Sequence, residues 1–278
     1  MKIERFMQKL HSEKISPTSG IRLNAAQPFH HNTAFAVLQA HAIPGAERTD
    51  HDILTHTRVF RTANGPSVVT IAFDTEGVRV HLDTRDQATT EILQRVQAWL
   101  GLNTDTTQID QALSRDTLLA PLVTQRPGIR LIGYPEEFEA VATTVIGQQV
   151  SLAAVLAQQD VNELQQCTGL TRARTKTLHT VATHWADGDL LTGLAPEEAR
   201  RMLLAIPGIG PWTTDYLLVR ALQHPDTFAL GDLVARRALG LNHREAERRS
   251  HDWAPYRSYA LLHLWAEAAY FPAPRDTP

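Results

Sequence analysis

The chain has 278 residues, enough for about two domains and a sizeable buried core. Its 43% apolar and 21% charged composition is that of a folded globular protein, and 27 Lys+Arg against 30 Asp+Glu give a formal charge of −3. That balance excludes a uniformly basic surface for polyanions, though not one local basic face. The single cysteine, Cys167, excludes a disulfide framework, a multi-cysteine zinc site and a four-cysteine iron–sulfur cluster. No apolar run reaches membrane-spanning length, and residues 1–19 are charged and lack the apolar stretch of a secretory signal. The expected location is therefore the cytoplasm.

In chain order, residues 1–19 form an extension with no readable fold. Residues 20–88 then read as a small α+β domain. Residues 53–61 (I-L-T-H-T-R-V-F-R), 67–73 (S-V-V-T-I-A-F) and 78–82 (V-R-V-H-L) carry strand signals, with turns at Ala63-Asn64-Gly65-Pro66 and at 74–77. Residues 33–41 read as the helix of this unit. From Thr89 onward the strand signals stop, and helical stripes occupy 91–100, 138–159, 171–185, 196–206, 212–222, 233–239 and 255–270. The expected division is a central helical domain at 118–224 and a second helical lobe built from 89–117 and 225–278, around a cleft. No solenoid repeat is present.

The sharpest local signal is the string 203–213, L-L-A-I-P-G-I-G-P-W-T. Pro207 cannot continue the preceding helix, and Gly208 and Gly210 permit a tight hairpin with uncovered amides. Those amides, with Ile209 and Thr213, stand at the N-terminus of the next helix, where backbone N–H groups and the dipole favour a phosphate. A second signal is Asp232, which follows Gly231 and opens an apolar helix. It is a candidate N-cap, placed where the dipole favours a carboxylate. Trp212 and Tyr216, four apart, share one helical face. The thirteen histidines show no metal-ligand spacing, so no metal is expected.

These strings resemble the helix–hairpin–helix DNA glycosylase superfamily, within it the AlkA-like DNA-3-methyladenine glycosylase II family. The hairpin carries most of the resemblance. It extends through Val219-Arg220-Ala221-Leu222, Gly231-Asp232-Leu233, Arg126-Pro127-Gly128-Ile129-Arg130, Ile146-Gly147-Gln148-Gln149 and the segment 253–265. Upstream, residues 42–47 (A-I-P-G-A-E) match more loosely, and Gln27-Pro28-Phe29-His30-His31 departs from the family's usual string.

The resemblance implies an N-terminal antiparallel sheet of TATA-binding-protein type followed by an all-α glycosylase unit. It implies Asp232 as the catalytic carboxylate and Trp212, Tyr216, Trp265 and Gln148 as the base pocket. It implies Gly208, Ile209, Gly210, Thr213, Ile129 and Arg130 as DNA contacts, with Ile129 or Leu131 as an apolar wedge and Arg130 on a phosphate. Branches with lyase activity carry a lysine where this chain has Trp212, so cleavage of the glycosidic bond without strand cleavage is implied. Gly231 stands where some relatives have a second acid. The implied partner is double-stranded DNA containing alkylated purines, bound by a monomer. No cofactor is implied beyond a monovalent cation that hairpin carbonyls could hold. Two alternatives stay open: a non-enzymatic helix–hairpin–helix DNA-binding module, and a glycosylase for deaminated purines.

Overall fold

A computed structural model describes residues 20–43, 45–83, 88–146, 170–186, 191 and 193–271. Gln148, Gln149, Cys167 and the segment 1–19 lie outside the described residues.

Five antiparallel strands open the fold: β1 (Ile21–Asn24), β2 (Arg48–Asp50), β3 (Thr55–Thr62), β4 (Gly65–Asp74) and β5 (Gly77–Leu82), in the order β1-β5-β4-β3-β2. The sequence shows three of them through alternation. The short edge strands β1 and β2 are held by pairing alone, Ile21 opposite Val80 and Arg48 opposite Thr57. The β3–β4 turn sets Thr62 opposite Gly65 and fixes the register that pairs Val59 with Val68. At Gly77 the chain has φ +149 and passes so close to β1 that a Cβ would stand 2.3 Å from the Leu23 carbonyl oxygen. One face of the sheet sends Phe60, Val69, Ile71, Phe73, Val78 and Val80 into a core shared with helix α1 (His31–His41) and helix α2 (Thr89–Trp99). The N-cap of α1 is His30, whose Nδ1 accepts the Thr33 amide at 3.2 Å.

The helical part has two further cores. One gathers α3 (Thr107–Leu113), α4 (Ala120–Gln125), α9 (Leu233–Leu239), α10 (His243–His251) and α11 (Arg257–Trp265), which runs on into a π-helical turn, Ala266–Tyr270. The other gathers α5 (Glu137–Ile146), α6 (Arg172–Ala186), α7 (Pro196–Ala205) and α8 (Pro211–Arg220). The architecture is thus α+β, a small antiparallel sheet followed by an all-α unit of two lobes.

The packing moves two of the expected boundaries. Helix α2 belongs with the sheet, because Ile92, Val96, Trp99 and Leu100 bury against it; the cut at residue 88 does not mark a change of core. Helix α4 belongs to the lobe of α9–α11 through Leu119 and Val123, although it lies inside 118–224. An amphipathic stripe reports that a helix is buried on one side, not against which neighbour.

A buried ion group ties sheet to helices. Arg58 of β3 meets Glu47 at 2.9 Å and also pairs with Glu139 of α5, while its guanidinium lies 5.3 Å over the Trp99 ring. Burial pushes both carboxyls above their usual range, and Arg58 opposes that rise. No described helix is long and apolar enough to cross a membrane.

Candidate active site

Asp232 is the N-cap of α9: its Oδ1 accepts the Ala235 amide at 2.8 Å. The carboxylate is 6% exposed, yet it has no cationic partner among the described ion pairs. Two indoles hold it instead. Trp265 Nε1 donates to Oδ1 at 3.1 Å, and Trp212 Nε1 donates to Oδ2 at 3.3 Å. Both oxygens are therefore oriented by N–H donors, from a backbone amide and two rigid rings. A charge-assisted hydrogen bond of this kind is worth about 1.5–3 kcal/mol. The carboxylate is held in place by uncharged N–H donors rather than by a cation.

The indoles come from different lobes, Trp212 from the first turn of α8 and Trp265 from the end of α11. Asp232 thus sits where the two helical cores meet. Tyr216 joins the rings: its centroid is 5.5 Å from that of Trp212, stacked at 28°, and 5.8 Å from that of Trp265, tilted at 49°. Burial pushes the Tyr216 phenol well above its ordinary range, so it remains protonated. Trp212 is 42% exposed, unusual for a ring of its size, and Leu233 beside Asp232 is 56% exposed. The result is an open aromatic wall with a fixed carboxylate at its edge, suited to a flat, electron-poor ligand.

Gly231 permits this geometry. A Cβ there would lie 3.2 Å from both Cβ and Cδ1 of Trp212. Gly231→Ala is expected to push the indole off Oδ2 and reduce turnover several-fold, with stability changed by less than about 1 kcal/mol. Steady-state rates and a thermal melt on the same sample check both halves.

The hairpin precedes α8. Ile206 caps α7, Gly208 takes φ +94, and the Ile209 amide returns to the Ile206 carbonyl at 3.0 Å. Ile209 itself is 5% exposed and anchors the turn in the α5–α8 core. Gly210 is the N-cap of α8, with extended backbone (φ −96, ψ 176) and no side-chain cap, and Pro lies in the first turn. Half-buried Thr213 follows in that turn. Exposed Gly208 and half-buried Gly210 and Thr213 leave backbone approachable at a helix N-terminus, as an oxyanion needs.

The 126–130 loop behaves differently from expectation. Ile129 is 1% exposed and Leu131 5%, both within the α9–α11 core, so neither stands at the surface as a wedge in this structure. Arg130 is 3% exposed and turned inward. It donates to the carbonyls of Thr104, Ala26 and Pro28, the last at 3.0 Å, and lies 5.5 Å over the Phe29 ring. An arginine whose fork is spent on buried carbonyls is not presented to a phosphate. Arg126 is likewise buried, paired with Glu267 at 2.9 Å. The loop straps the N-terminal domain to the helices. Sequence alone shows the arginines but not the carbonyls that converge on them.

No cluster of three or more potential metal ligands occurs among the described residues. Sequence reading missed the contact of Arg220, one helical turn after Tyr216, with Tyr134, whose ring centroid lies 5.4 Å from the guanidinium. The signal for Arg220 was available: 212, 216 and 220 are successive four-residue steps along one helix face.

Residues 20–136 match the family model of the AlkA N-terminal domain. The chain is 31% identical over 292 residues to the probable bifunctional transcriptional activator/DNA repair enzyme AlkA of Mycobacterium tuberculosis, an alignment covering 89% of this chain and 57% of that protein. The chain therefore spans little more than half the length of that relative. It is 26% identical over 285 residues to DNA-3-methyladenine glycosylase 2 of Escherichia coli K12, covering 90% of this chain and 98% of that one. Among solved structures, the 3-methyladenine DNA-glycosylase from Archaeoglobus fulgidus superposes with a TM-score of 0.72 at 19% identity, over 88% of this chain and 96% of its own, which shows a shared fold. The N-terminal sheet thus coincides with the stretch that matches the AlkA N-terminal domain, and about nine tenths of the chain is similar to proteins named as AlkA and as DNA-3-methyladenine glycosylase.

Proposed function

We propose that this protein excises alkylated purines from duplex DNA by hydrolysing the N-glycosidic bond, without cutting the strand. One observation carries the reading: a buried carboxylate held by two indole N–H groups whose rings also form the wall where a base would lie. The relatives named as DNA-3-methyladenine glycosylases support the same chemistry.

The target nucleotide must leave the stack, at a cost of a few kcal/mol that is smallest at a damaged pair. Amides at Gly208, Gly210 and Thr213 would hold the backbone while the base enters between the rings. Alkylation at N3 or N7 gives the purine a positive charge, and an aromatic face attracts a cation by about 0.5–2 kcal/mol. As the bond to C1′ breaks, its electron pair leaves with the base, which becomes neutral. Positive charge develops on the sugar, and the Asp232 carboxylate stabilises it. Water then adds to C1′ and gives up a proton. At about 4 Å such a charge pair is worth about 1 kcal/mol in water and severalfold more once water is excluded. With Trp212 where lyase branches have lysine, no amine stands there to attack the sugar.

The test is to identify the free bases released from methylated duplex DNA. Release of 3-methyladenine and 7-methylguanine with the strand left intact is expected; strand binding without release, or release of deaminated purines alone, overturns the reading. Trp212→Ala should lower release of cationic bases by about 10-fold or more while abasic-site binding falls less than about 3-fold. Equal losses would make Trp212 a packing residue.

A further inference from the structure

Helix α6 carries three cations in its first two turns, Arg172, Arg174 and Lys176, and no Asp or Glu anywhere along its 15 residues. All three are exposed, and none enters an ion pair or a side-chain hydrogen bond among the described residues. Several other arginines are spent. Arg58, Arg126, Arg130 and Arg220 are buried, while Arg200 and Arg249 pair with Asp215 at 2.6 Å and Asp116 at 2.9 Å. In a chain of net charge −3, three neighbouring cations with no carboxylate among them make a local positive field.

That field adjoins the hairpin. Thr177 of α6 donates its hydroxyl to the Pro207 carbonyl at 2.8 Å, and Gly208 packs against the same hydroxyl. Arg174 lies three residues before Thr177, on the helix face that meets the hairpin. Arg172 and Lys176 are four apart and share the face beside it. From Arg172 to Thr177 the helix rises about 7.5 Å, which is the rise of about two nucleotides along one DNA strand. A strand held at Gly208 and Gly210 therefore has neighbouring phosphates within reach of these side chains. Their chemistry suits that contact: a guanidinium takes a phosphate with two N–H groups, and an ammonium takes it as a point charge.

We infer that the first two turns of α6 form a second phosphate-binding surface, continuous with the hairpin, on which Arg172, Arg174 and Lys176 meet the backbone of the duplex outside the flipped nucleotide. The hairpin fixes the lesion strand by neutral amides; α6 supplies the salt-sensitive attraction that the chain as a whole lacks. The surface touches no reacting atom and reads no base. This inference rests on the reading of the protein as a glycosylase of duplex DNA and deepens it.

The experiment titrates abasic-site duplex against the full chain at a series of salt concentrations. Arg172→Gln, Arg174→Gln and Lys176→Gln combined are expected to weaken binding by about 10-fold or more at low salt. The slope of log Kd against log salt should fall by at least about 1.8, the worth of two phosphate contacts at about 0.9 each. A smaller fall overturns the inference. Lys176→Gln alone should lower the slope by about 0.9 and decides the matter where the triple variant loses stability; a fall below about 0.5 overturns the inference. A control removes the same charge from strands β2, β3 and β5 through Arg48→Gln, Arg61→Gln and Arg79→Gln. Its slope should move by less than about 0.5, and a loss equal to that of the α6 variant would trace the effect to net charge and overturn the inference as well. In the α6 variant, kcat for 3-methyladenine release should stay within about 2-fold while KM rises. The wild-type arm separates the two failures. If it binds duplex but releases no base, the glycosylase reading falls and the slopes still judge the surface; if it is active and the α6 variants keep its slope, only the surface falls.

Discussion

Asp232→Asn should lower release of 3-methyladenine from methylated duplex by about 10²–10³-fold while binding to abasic-site DNA stays within about 3-fold of wild type. The magnitude is that of removing one preorganised electrostatic group from a developing charge. The substitution keeps shape and can keep the helix cap, since the asparagine oxygen can still accept the Ala235 amide that Oδ1 accepts at 2.8 Å. What it cannot keep is both indole contacts. Trp265 and Trp212 each donate an N–H to one carboxylate oxygen. If the asparagine oxygen stays on Ala235 and Trp265, its NH₂ faces the Trp212 N–H, donor against donor. Trp212 is half exposed and free to swing outward, so the protein should fold with little loss of stability. Turnover and binding are thereby separated: kcat collapses, the hairpin still holds DNA, and the Trp212 fluorescence environment changes. An Asp232→Asn protein that releases base at the wild-type rate would remove Asp232 from the chemistry and leave a DNA-binding module.

Gly208→Ala should cost about 2–3 kcal/mol of stability and lower Tm by about 4–12 °C, whereas Gly210→Ala two residues later should cost less than about 0.5 kcal/mol. The two glycines do different work. Gly208 has φ +94, where an L side chain costs about 1–2 kcal/mol. Its Cβ would fall 2.1 Å from Thr177 Oγ1. That hydroxyl donates to the Pro207 carbonyl at 2.8 Å and bonds back to Ala173 at 3.1 Å, so displacing it loses about another 1 kcal/mol and unlatches the hairpin from α6. Gly210 has an ordinary extended backbone and open space where a Cβ would stand. Its methyl would obstruct an approaching phosphate rather than the fold. Gly210→Ala should therefore weaken DNA binding at nearly unchanged Tm. Thermal melts of both variants, read beside DNA titrations, check the split. Equal shifts in Tm would show that hairpin geometry is not what Gly208 supplies.

The parts legible in the sequence share one property: their physics is local. Alternation in residues 78–82 and the Ala63–Pro66 turn predict β4 and its neighbours because side-chain direction in a strand repeats every two residues. The hairpin string is readable because proline, glycine and a helix start dictate backbone within a few residues. Asp232 as a cap follows from its place before an apolar helix, and the structure confirms that bond. Trp212 and Tyr216 share a face through helical spacing, and their stacking follows.

What stayed hidden depends on which surfaces meet. An arginine in an R-P-G-I-R loop looks the same on paper whether it faces a phosphate or three backbone carbonyls, and only the docking of the N-terminal domain brings Ala26, Pro28 and Thr104 to Arg130. Ile129 has a wedge's chemistry, but the α9–α11 core covers it. Helix α2 shows its stripe without showing that the stripe lands on the sheet.

The amino-acid sequence by itself determined the kinds of elements, the hairpin's backbone and the residue that caps α9, because short-range sterics and periodicity decide these. Only the tertiary structure decided that this carboxylate accepts from two indoles of separate lobes, with the Tyr216 ring packed between them. Such contacts join residues 20 to 33 positions apart or more, and no local rule of propensity or spacing reaches that far.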